Sequence, residues 1–225
     1  MSELQKYVGK KVQLLISELN TPILGILVDY GSDVLVIHSE NRHLYIPLIH
    51  LQNMLMPLST TDDNAVQAGT PLIDHDKERI SYRKILMLAK GAFSEVYITG
   101  HQSLHGYVTN IMNDFFVFFS PAFHTILIPL QHLKYLIPYN SNETPYRLTV
   151  DKFPLKPTNM AMARTFEQQL KKFEGSFVVF DLGENHNKIG QLLSVDEGFI
   201  ELVQADGESN LLLVDHVKCV HLPYS

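Results

Sequence analysis

The sequence predicts a mainly β protein built from three tandem, small, five-stranded barrels, each preceded by a short helix. The prediction rests on a block of about 50 residues that occurs three times with its landmarks in the same order. In the three copies, a second glycine follows the first after 16, 15 and 15 residues, and a closing histidine follows after a further 25, 26 and 26. The second glycines, Gly25, Gly106 and Gly190, are 81 and 84 residues apart. This spacing predicts small globular units in series and not a solenoid of short repeats.

The first copy shows the expected order of elements. Leu4, Tyr7 and Val8 share one helical face before the first glycine. Five strands are predicted after it, over residues 12–16, 23–30, 34–37, 43–47 and 49–54. A glycine inside the second strand indicates a sharp bend of the sheet or the close approach of another backbone. Five short, bent antiparallel strands predict a barrel and not a sandwich.

The same structural role is assigned to equivalent residues of the other copies. Gly106 and Gly190 match Gly25, and Pro129 matches Pro47 at the end of the fourth strand.

Helices are also predicted before the second and third copies. Apolar residues from Met160 to Phe173 recur at spacings of 3, 3, 4 and 3, which places them on one helical face. Tyr82, Ile85, Leu86 and Ala89 fit a helix before the second copy, although residues 85–88 are equally typical of a strand.

The predicted domain boundaries follow the copies. The repeats comprise residues 1–57, 79–138 and 158–225, called here the first, second and third repeats. The linkers, 58–78 and 139–157, are polar or punctuated by proline and predict loops without a core of their own.

Composition limits the classes of function. The formal charge is −6 and Lys and Arg do not cluster, which disfavours binding to DNA or RNA. No run approaches the length of a membrane-spanning helix and no secretory signal is visible, so we expect a cytoplasmic protein without a membrane partner. The lone Cys219 lies in an apolar alternation, which predicts a buried, reduced thiol.

Two segments resemble the Sm-like fold. The stretch from Gly25 to Val36 is similar to the first Sm signature, and it recurs at 106–117 and 190–200. The closing segment resembles that of the bacterial Hfq-type Sm proteins, in which a proline follows the histidine by seven residues. His50 and His216 keep that interval, and His132 is one residue closer to its proline. The motif Ile-Pro-Leu-x-His-Leu resembles small Sm-like domains of Gram-positive spore formers, which implies a spore association.

The resemblance implies a candidate RNA site, and the residues around it argue against one. In Hfq-like proteins an aromatic residue and a lysine precede the closing histidine and help line an RNA-binding pore. Here those pairs are Leu48-Ile49, Leu130-Gln131 and Val214-Asp215, without the lysine. The loss of stacking and cationic groups disfavours RNA recognition.

The candidate residues for RNA binding, or alternatively for contacts between barrels, are His50, His132, His216, Asp33 and Asp114. The alternative is that each imidazole caps a strand end through a local hydrogen bond.

Motifs for catalysis are absent from the sequence. No glycine-rich run precedes Lys-Ser or Lys-Thr, and no serine has the Gly-x-Ser-x-Gly setting. No cysteine or carboxylate cluster accompanies the histidines, as a zinc site requires. We therefore expect no enzyme activity, no cofactor and no metal.

The most apolar short run is Phe115-Phe116-Val117-Phe118-Phe119, in the third strand of the second repeat. Alternate residues of a strand face opposite sides, so Phe116 and Phe118 share one side. That side is either covered by the preceding helix and linker or forms an interface between domains or subunits.

The function that the sequence favours is a noncatalytic interaction or assembly module. Unpaired strand edges of small barrels predict a protein partner or self-association. The alternatives are an RNA-binding Sm-like protein and, more weakly, a binder of a small ligand between barrels.

Overall fold

The computed structural model describes residues 3–57, 80–98, 103–140, 143, 145–147 and 160–223. Contacts group the chain into two compact units. Unit 1 comprises Met1–Ala89, Ser94–Tyr97 and Lys134–Glu143, and unit 2 comprises Lys90–Phe93, Ile98–Leu133 and Thr144–Ser225. The division runs through the second repeat. The predicted linker 58–78 and most of 139–157 lie outside the described residues, so the domain boundaries stay a prediction.

The described residues contain fifteen strands and two α-helices. The strands of the first repeat are β1 (Lys11–Ile16), β2 (Ile23–Tyr30), β3 (Val34–Ser39), β4 (Arg42–Pro47) and β5 (Leu51–Leu55). The second repeat has α1 (Tyr82–Leu88), β6 (Phe93–Tyr97), β7 (Leu104–Ile111), β8 (Phe115–Ser120), β9 (His124–Pro129) and β10 (Tyr135–Pro138). The third has α2 (Phe166–Lys171), β11 (Phe177–Phe180), β12 (Ile189–Asp196), β13 (Phe199–Val203), β14 (Ser209–Leu213) and β15 (Val220–His221).

The sheet of unit 1 has the order β6-β10-β4-β3-β2-β1-β5, and neighbouring strands are antiparallel. The fifth strand of the first repeat returns to pair with its first strand, β1. The fifth strand of the second repeat, β10, pairs with β4 of the first repeat.

The sheet of unit 2 has the order β14-β13-β12-β11-β15-β9-β8-β7, again antiparallel. Here too the fifth strand, β15, pairs with the first strand of its own repeat, β11, and with the fourth strand of the preceding repeat, β9. The predicted mainly β class is confirmed. Both strand orders are open, and the three small barrels stay a prediction.

The glycine inside each second strand lies under a neighbouring backbone. A Cβ on Gly106 or Gly190 would lie 2.0 Å from the carbonyl oxygen of Phe119 or Val203. At Gly25 it would lie 2.6 Å from the carbonyl oxygen of His38. No side chain fits such a gap, which is the close approach that a strand glycine indicates. A register shift follows in each of the three second strands and bends it further.

The helices before the second and third repeats begin at side-chain caps. Ser81 Oγ accepts from the Lys84 N–H at 3.2 Å, and Thr165 Oγ1 accepts from the Gln168 N–H at 3.4 Å. Residues 85–88 are helical, so the alternative of a strand there is wrong. The third-repeat helix is shorter than the sequence predicts because Met160 and Ala163 precede the Thr165 cap.

The closing segments differ from the prediction in one respect. Each fourth strand is followed by a one-turn 3₁₀ helix, at Leu48–His50, Leu130–His132 and Val214–His216. The fifth strand of the first repeat therefore begins at Leu51, two residues later than predicted, because the 3₁₀ turn uses Ile49 and His50. Within the described ranges, no helix combines the length and apolar character needed to cross a membrane.

Candidate functional site

The outer face of a repeat is defined here as the side of its third and fourth strands that points away from its own core. Strand pairing places its four residues directly opposite one another in two pairs. They are Val34, Val36, Tyr45 and Pro47 in the first repeat, Phe115, Val117, Leu127 and Pro129 in the second, and Phe199, Glu201, Leu211 and Leu213 in the third.

The outer face of the first repeat is covered within unit 1. Val34, Val36 and Tyr45 are fully buried, and Pro47 is buried as well. The fifth strand of the second repeat pairs with β4, with Leu136 opposite Tyr45, and α1 also contacts β4. Within unit 1, β10 therefore adds a strand to β4, and α1 packs beside it.

The outer face of the second repeat is covered in the same way within unit 2. Phe115, Val117 and Leu127 belong to one buried cluster with the core of the third repeat. That cluster includes Phe166 and Leu170 of α2. Val220 of β15 lies opposite Leu127, so the pairing repeats the register of Leu136 and Tyr45. Three residues of one repeat thus complete the hydrophobic core of the next.

The outer face of the third repeat is exposed. Phe199, Leu211 and Leu213 are 48%, 66% and 45% exposed. Within the described residues, β14 pairs with β13 alone and forms the edge of its sheet. An apolar face at an open strand edge is typical of an interaction surface.

Asp33 and Asp114, two of the predicted site residues, join consecutive repeats. Asp33 Oδ1 accepts from the Tyr82 N–H at 2.7 Å, and Asp114 Oδ1 accepts from the Phe166 N–H at 2.8 Å. Each carboxylate therefore binds the first residue of the next repeat's helix, where backbone N–H groups lack helical partners. The contacts join consecutive repeats, and the predicted RNA-binding or inter-barrel role of the two acids stays a prediction.

A backbone hydrogen bond accompanies each carboxylate. The Ser32 N–H donates to Ile80 O and the Asn113 N–H donates to Arg164 O, both at 3.0 Å. The third repeat has Glu197 and Gly198 at the equivalent positions, with φ of 46° and 80°. Both residues have left-handed backbone conformations, which close a tight hairpin, and Gly198 stands where the other repeats have the aspartate.

The side of a repeat that docks on the preceding outer face is called here the receiving side. In the second repeat it includes Leu86, Ala89 and Leu136 of unit 1, and in the third Leu170, Phe173 and Val220 of unit 2; all are at most 5% exposed. The equivalent residues of the first repeat are Leu4, Tyr7 and Met54. Each of these three is only partly buried. The chain thus presents an open outer face on its third repeat and an open receiving side on its first.

His50 is buried beside a buried lysine. Lys134, at 2% exposure, donates from Nζ to His50 Nδ1 at 3.2 Å and to Ser17 Oγ at 3.3 Å. Its charge is balanced by the Glu18 carboxylate at 3.3 Å. Because an ammonium group only donates, His50 Nδ1 accepts this hydrogen bond. The first closing histidine thus holds a lysine of the second repeat.

The other two closing histidines have different surroundings. His132 Nε2 donates to the backbone oxygen of Asp215 at 2.9 Å. This contact again joins one closing segment to that of the next repeat. His216 is exposed, and its backbone oxygen lies 3.5 Å from Lys188 Nζ. The three histidines are therefore not brought to one common environment among the described residues.

The third repeat also contains a buried carboxylate that the sequence analysis did not single out. Asp181 Oδ1 accepts from the backbone N–H groups of Lys218 and Cys219 at 2.7 and 3.2 Å. Its other oxygen is paired with Lys188. The contacts fix the segment that leads into β15. Cys219 is buried there, and burial together with the Asp181 charge raises the pKa of its thiol, which keeps it protonated.

Phe116 and Phe118 are fully buried. The residues of the same strand that contact the third repeat are Phe115 and Val117, on its opposite face. Sequence reasoning missed Lys134, although a lysine inside the apolar run Leu-Lys-Tyr-Leu-Ile was a visible signal. It also missed Phe199 and Leu211, which an alignment of the three copies places at the positions of the buried Phe115 and Leu127. The described ranges hold no group of three or more His, Cys, Asp or Glu arranged to bind a metal ion.

Comparison with known proteins gives a consistent assignment. Residues 165–220 match the family model described as the YwrJ third domain. This range lies within the third repeat as the sequence defines it. Over 226 aligned residues, the chain is 40% identical to the uncharacterised protein YwrJ of Bacillus subtilis (strain 168), covering 99% of this chain and all of that protein. At this identity over the full length, the chain belongs to the YwrJ family.

Proposed function

We propose that this protein is a noncatalytic assembly module that associates through the open outer face of its third repeat. One observation carries the proposal. The outer faces of the first and second repeats are buried, whereas the third exposes Phe199, Leu211 and Leu213. Apolar side chains at these positions are covered wherever a following repeat exists. A protein edge that covers the third face in the same way is the simplest occupant.

The proposal includes the Sm-like barrel as the repeating unit. Its support is the strand order of the first and third repeats, in which the fifth strand returns to the first. The helix before the strands and the glycine under a neighbouring backbone also fit that unit. The association of these repeats with spores, which the resemblance implies, stays a prediction.

RNA binding is the other function that the resemblance implies, and the contacts of its candidate residues favour assembly instead. The Asp33 and Asp114 carboxylates bind backbone N–H groups of the next repeat. His50 is buried, and the overall charge of −6 repels phosphate. A titration with mixed-sequence single-stranded RNA across salt is the check, and we expect no salt-dependent binding.

The test of assembly is the mass of the purified chain by sedimentation velocity, from about 1 to 100 µM, because association follows mass action. We expect species larger than one chain to increase with concentration. Leu211→Lys places a charge on the open face and should shift the midpoint at least about tenfold to higher concentration. The matched control is Leu193→Lys, since Leu193 is 42% exposed on β12 but is not part of the outer face.

A chain that stays monomeric over the whole range would contradict self-association. Equal effects of Leu211→Lys and Leu193→Lys would show that the outer face is not the surface used. Tight, salt-dependent RNA binding by a monomer would replace the proposal with the RNA function.

A further inference from the structure

We infer that the occupant of the third repeat's outer face is the receiving side of the first repeat of a second copy, with Met54 opposite Leu211. This inference rests on the proposed function and specifies its partner and register. The two contacts between consecutive repeats, called here the internal joints, provide the template. Every copy also carries the two surfaces that a joint between chains needs, an exposed outer face on the third repeat and an exposed receiving side on the first.

The register comes from the two internal joints. In one, Leu136 of β10 lies opposite Tyr45 of β4, and in the other Val220 of β15 lies opposite Leu127 of β9. In both pairs the fifth-strand residue is four positions after the closing histidine. In the first repeat that position is Met54, and the residue equivalent to Tyr45 and Leu127 in the third repeat is Leu211. The same rule therefore pairs Met54 with Leu211.

The receiving side of the first repeat is incomplete as it stands. In the third repeat, Phe115, Val117 and Leu127 of the preceding repeat complete the core cluster. The core cluster of the first repeat has Leu4, Tyr7 and Met54 packed against it, and these remain partly exposed. An outer face laid against them would bury both open surfaces in one contact.

Charge distinguishes a second copy from a generic apolar partner. The outer face of the third repeat carries Glu201 where the other two carry Val36 and Val117. On the receiving side of the first repeat, Lys6 and Lys10 lie over Tyr7, with Nζ 5.1 and 5.7 Å from the ring centroid. Lys6 is also paired with the Glu3 carboxylate, so the further positive charge comes from Lys10. The residues equivalent to Lys10 in the other repeats are Ala92 and Ser176. Lys10 thus places a cation at the open receiving side, where the outer face that carries Glu201 docks.

The contact is head-to-tail, since it joins two different surfaces and leaves one of each open. Such a contact gives a ring when the rotation between copies closes and an open filament when it does not. The receiving side of the first repeat is called here the head, and the outer face of the third repeat the tail. The contact is also built with fewer polar bonds than the internal joints. Gly198 stands where Asp33 and Asp114 bind the next helix, so the joint between chains lacks that carboxylate.

The first experiment is complementation between blocked copies. Met54→Lys blocks the head, and Leu211→Lys blocks the tail. Each variant alone should lose association at least about tenfold. A 1:1 mixture should regain a two-chain species, because the mixture contains one intact head and one intact tail. Circular dichroism spectra identical to wild type establish that both variants are folded.

The second experiment tests the register with cysteines. Directly opposed residues of antiparallel strands have Cα atoms about 4.5 to 5.5 Å apart, within the range of a disulfide. Met54→Cys and Leu211→Cys chains, mixed and mildly oxidised, should form a mixed disulfide dimer that peptide mass spectrometry identifies. Asn53→Cys, whose side chain faces the other side of β5, is the matched control and should cross-link at least about tenfold less.

The outcomes separate the two proposals. A wild-type chain that never associates overturns both. Association without complementation, or with disulfides between two Leu211→Cys chains, overturns the head-to-tail joint and leaves assembly through the third repeat intact. Equal cross-linking of Asn53→Cys and Met54→Cys overturns the register.

Discussion

The outer faces of the second and third repeats occupy the same position in their repeats and differ in what covers them. Phe115 is fully buried under the third repeat, whereas its equivalent, Phe199, is 48% exposed. The sequence difference between the faces is small, with Glu201 in place of Val117 as the main change in polarity. The same local chemistry thus serves as core in one repeat and as surface in the next. The difference teaches that this face is buried where another repeat packs on it and exposed where, among the described residues, no repeat does.

The largest effect that we expect separates the two equivalent phenylalanines. Phe115→Ala should lower the free energy of unfolding by about 3–5 kcal/mol, because it opens a cavity in a filled cluster. Phe199→Ala should change it by about 0.5 kcal/mol or less in the monomer. Urea denaturation at low protein concentration measures both. Similar losses for the two variants would break the comparison.

An intermediate effect concerns the carboxylate that joins the second and third repeats. Asp114→Ala removes the acceptor of the Phe166 N–H and should cost about 1–2 kcal/mol of stability, as the loss of a helix cap does. Asp215→Ala is the matched control, since this acid is exposed and contributes its backbone oxygen, not its carboxylate, to His132. Chemical denaturation compares them, and an equal loss for the control would refute the role of Asp114.

The smallest effect is a pH dependence at the covered joint. His221 lies on β15 opposite Ile126, and burial, together with the nearby His124, lowers the pKa of its imidazole. The unfolded chain then binds the proton more readily, so this contribution to stability is present above about pH 6.5 and is lost as the pH falls toward the lowered pKa. His221→Gln should flatten the stability profile over that window. Thermal melts from about pH 7.5 to 5 measure it, and an unchanged slope would exclude this histidine.

Much of the strand layout could be predicted because its signals are local. The turn at Gly31-Ser32-Asp33 and the alternation of Val12, Leu14 and Ile16 locate strands without knowledge of the rest of the chain. The 3₁₀ turn at Leu48–His50 was not foreseen, since Ile49 and His50 continue an apolar pattern.

The candidate site was less predictable, because its contacts are distant in sequence. Phe116 and Phe118 could be assigned to one side of a strand, but which side meets the third repeat depends on β15 pairing with β9. The buried Lys134 contacts Glu18 and His50, which lie far from it in sequence. Asp33 and Asp114 were among the candidates, but their bonds to the next helix follow from docking, which no local pattern encodes.

The order of synthesis gives the joint between the first two repeats a further meaning. β4 ends at Pro47, whereas β10, which pairs with it, begins at Tyr135. A ribosome therefore releases the outer face of the first repeat well before its cover exists, if the repeat folds as it emerges. The nascent chain then displays an apolar strand edge, the kind of surface on which chaperones act. Elements of each newly made repeat cover the outer face of the repeat before it, while its own outer face is still exposed. The outer face of the third repeat is therefore the last of three apolar surfaces that become exposed in turn during synthesis.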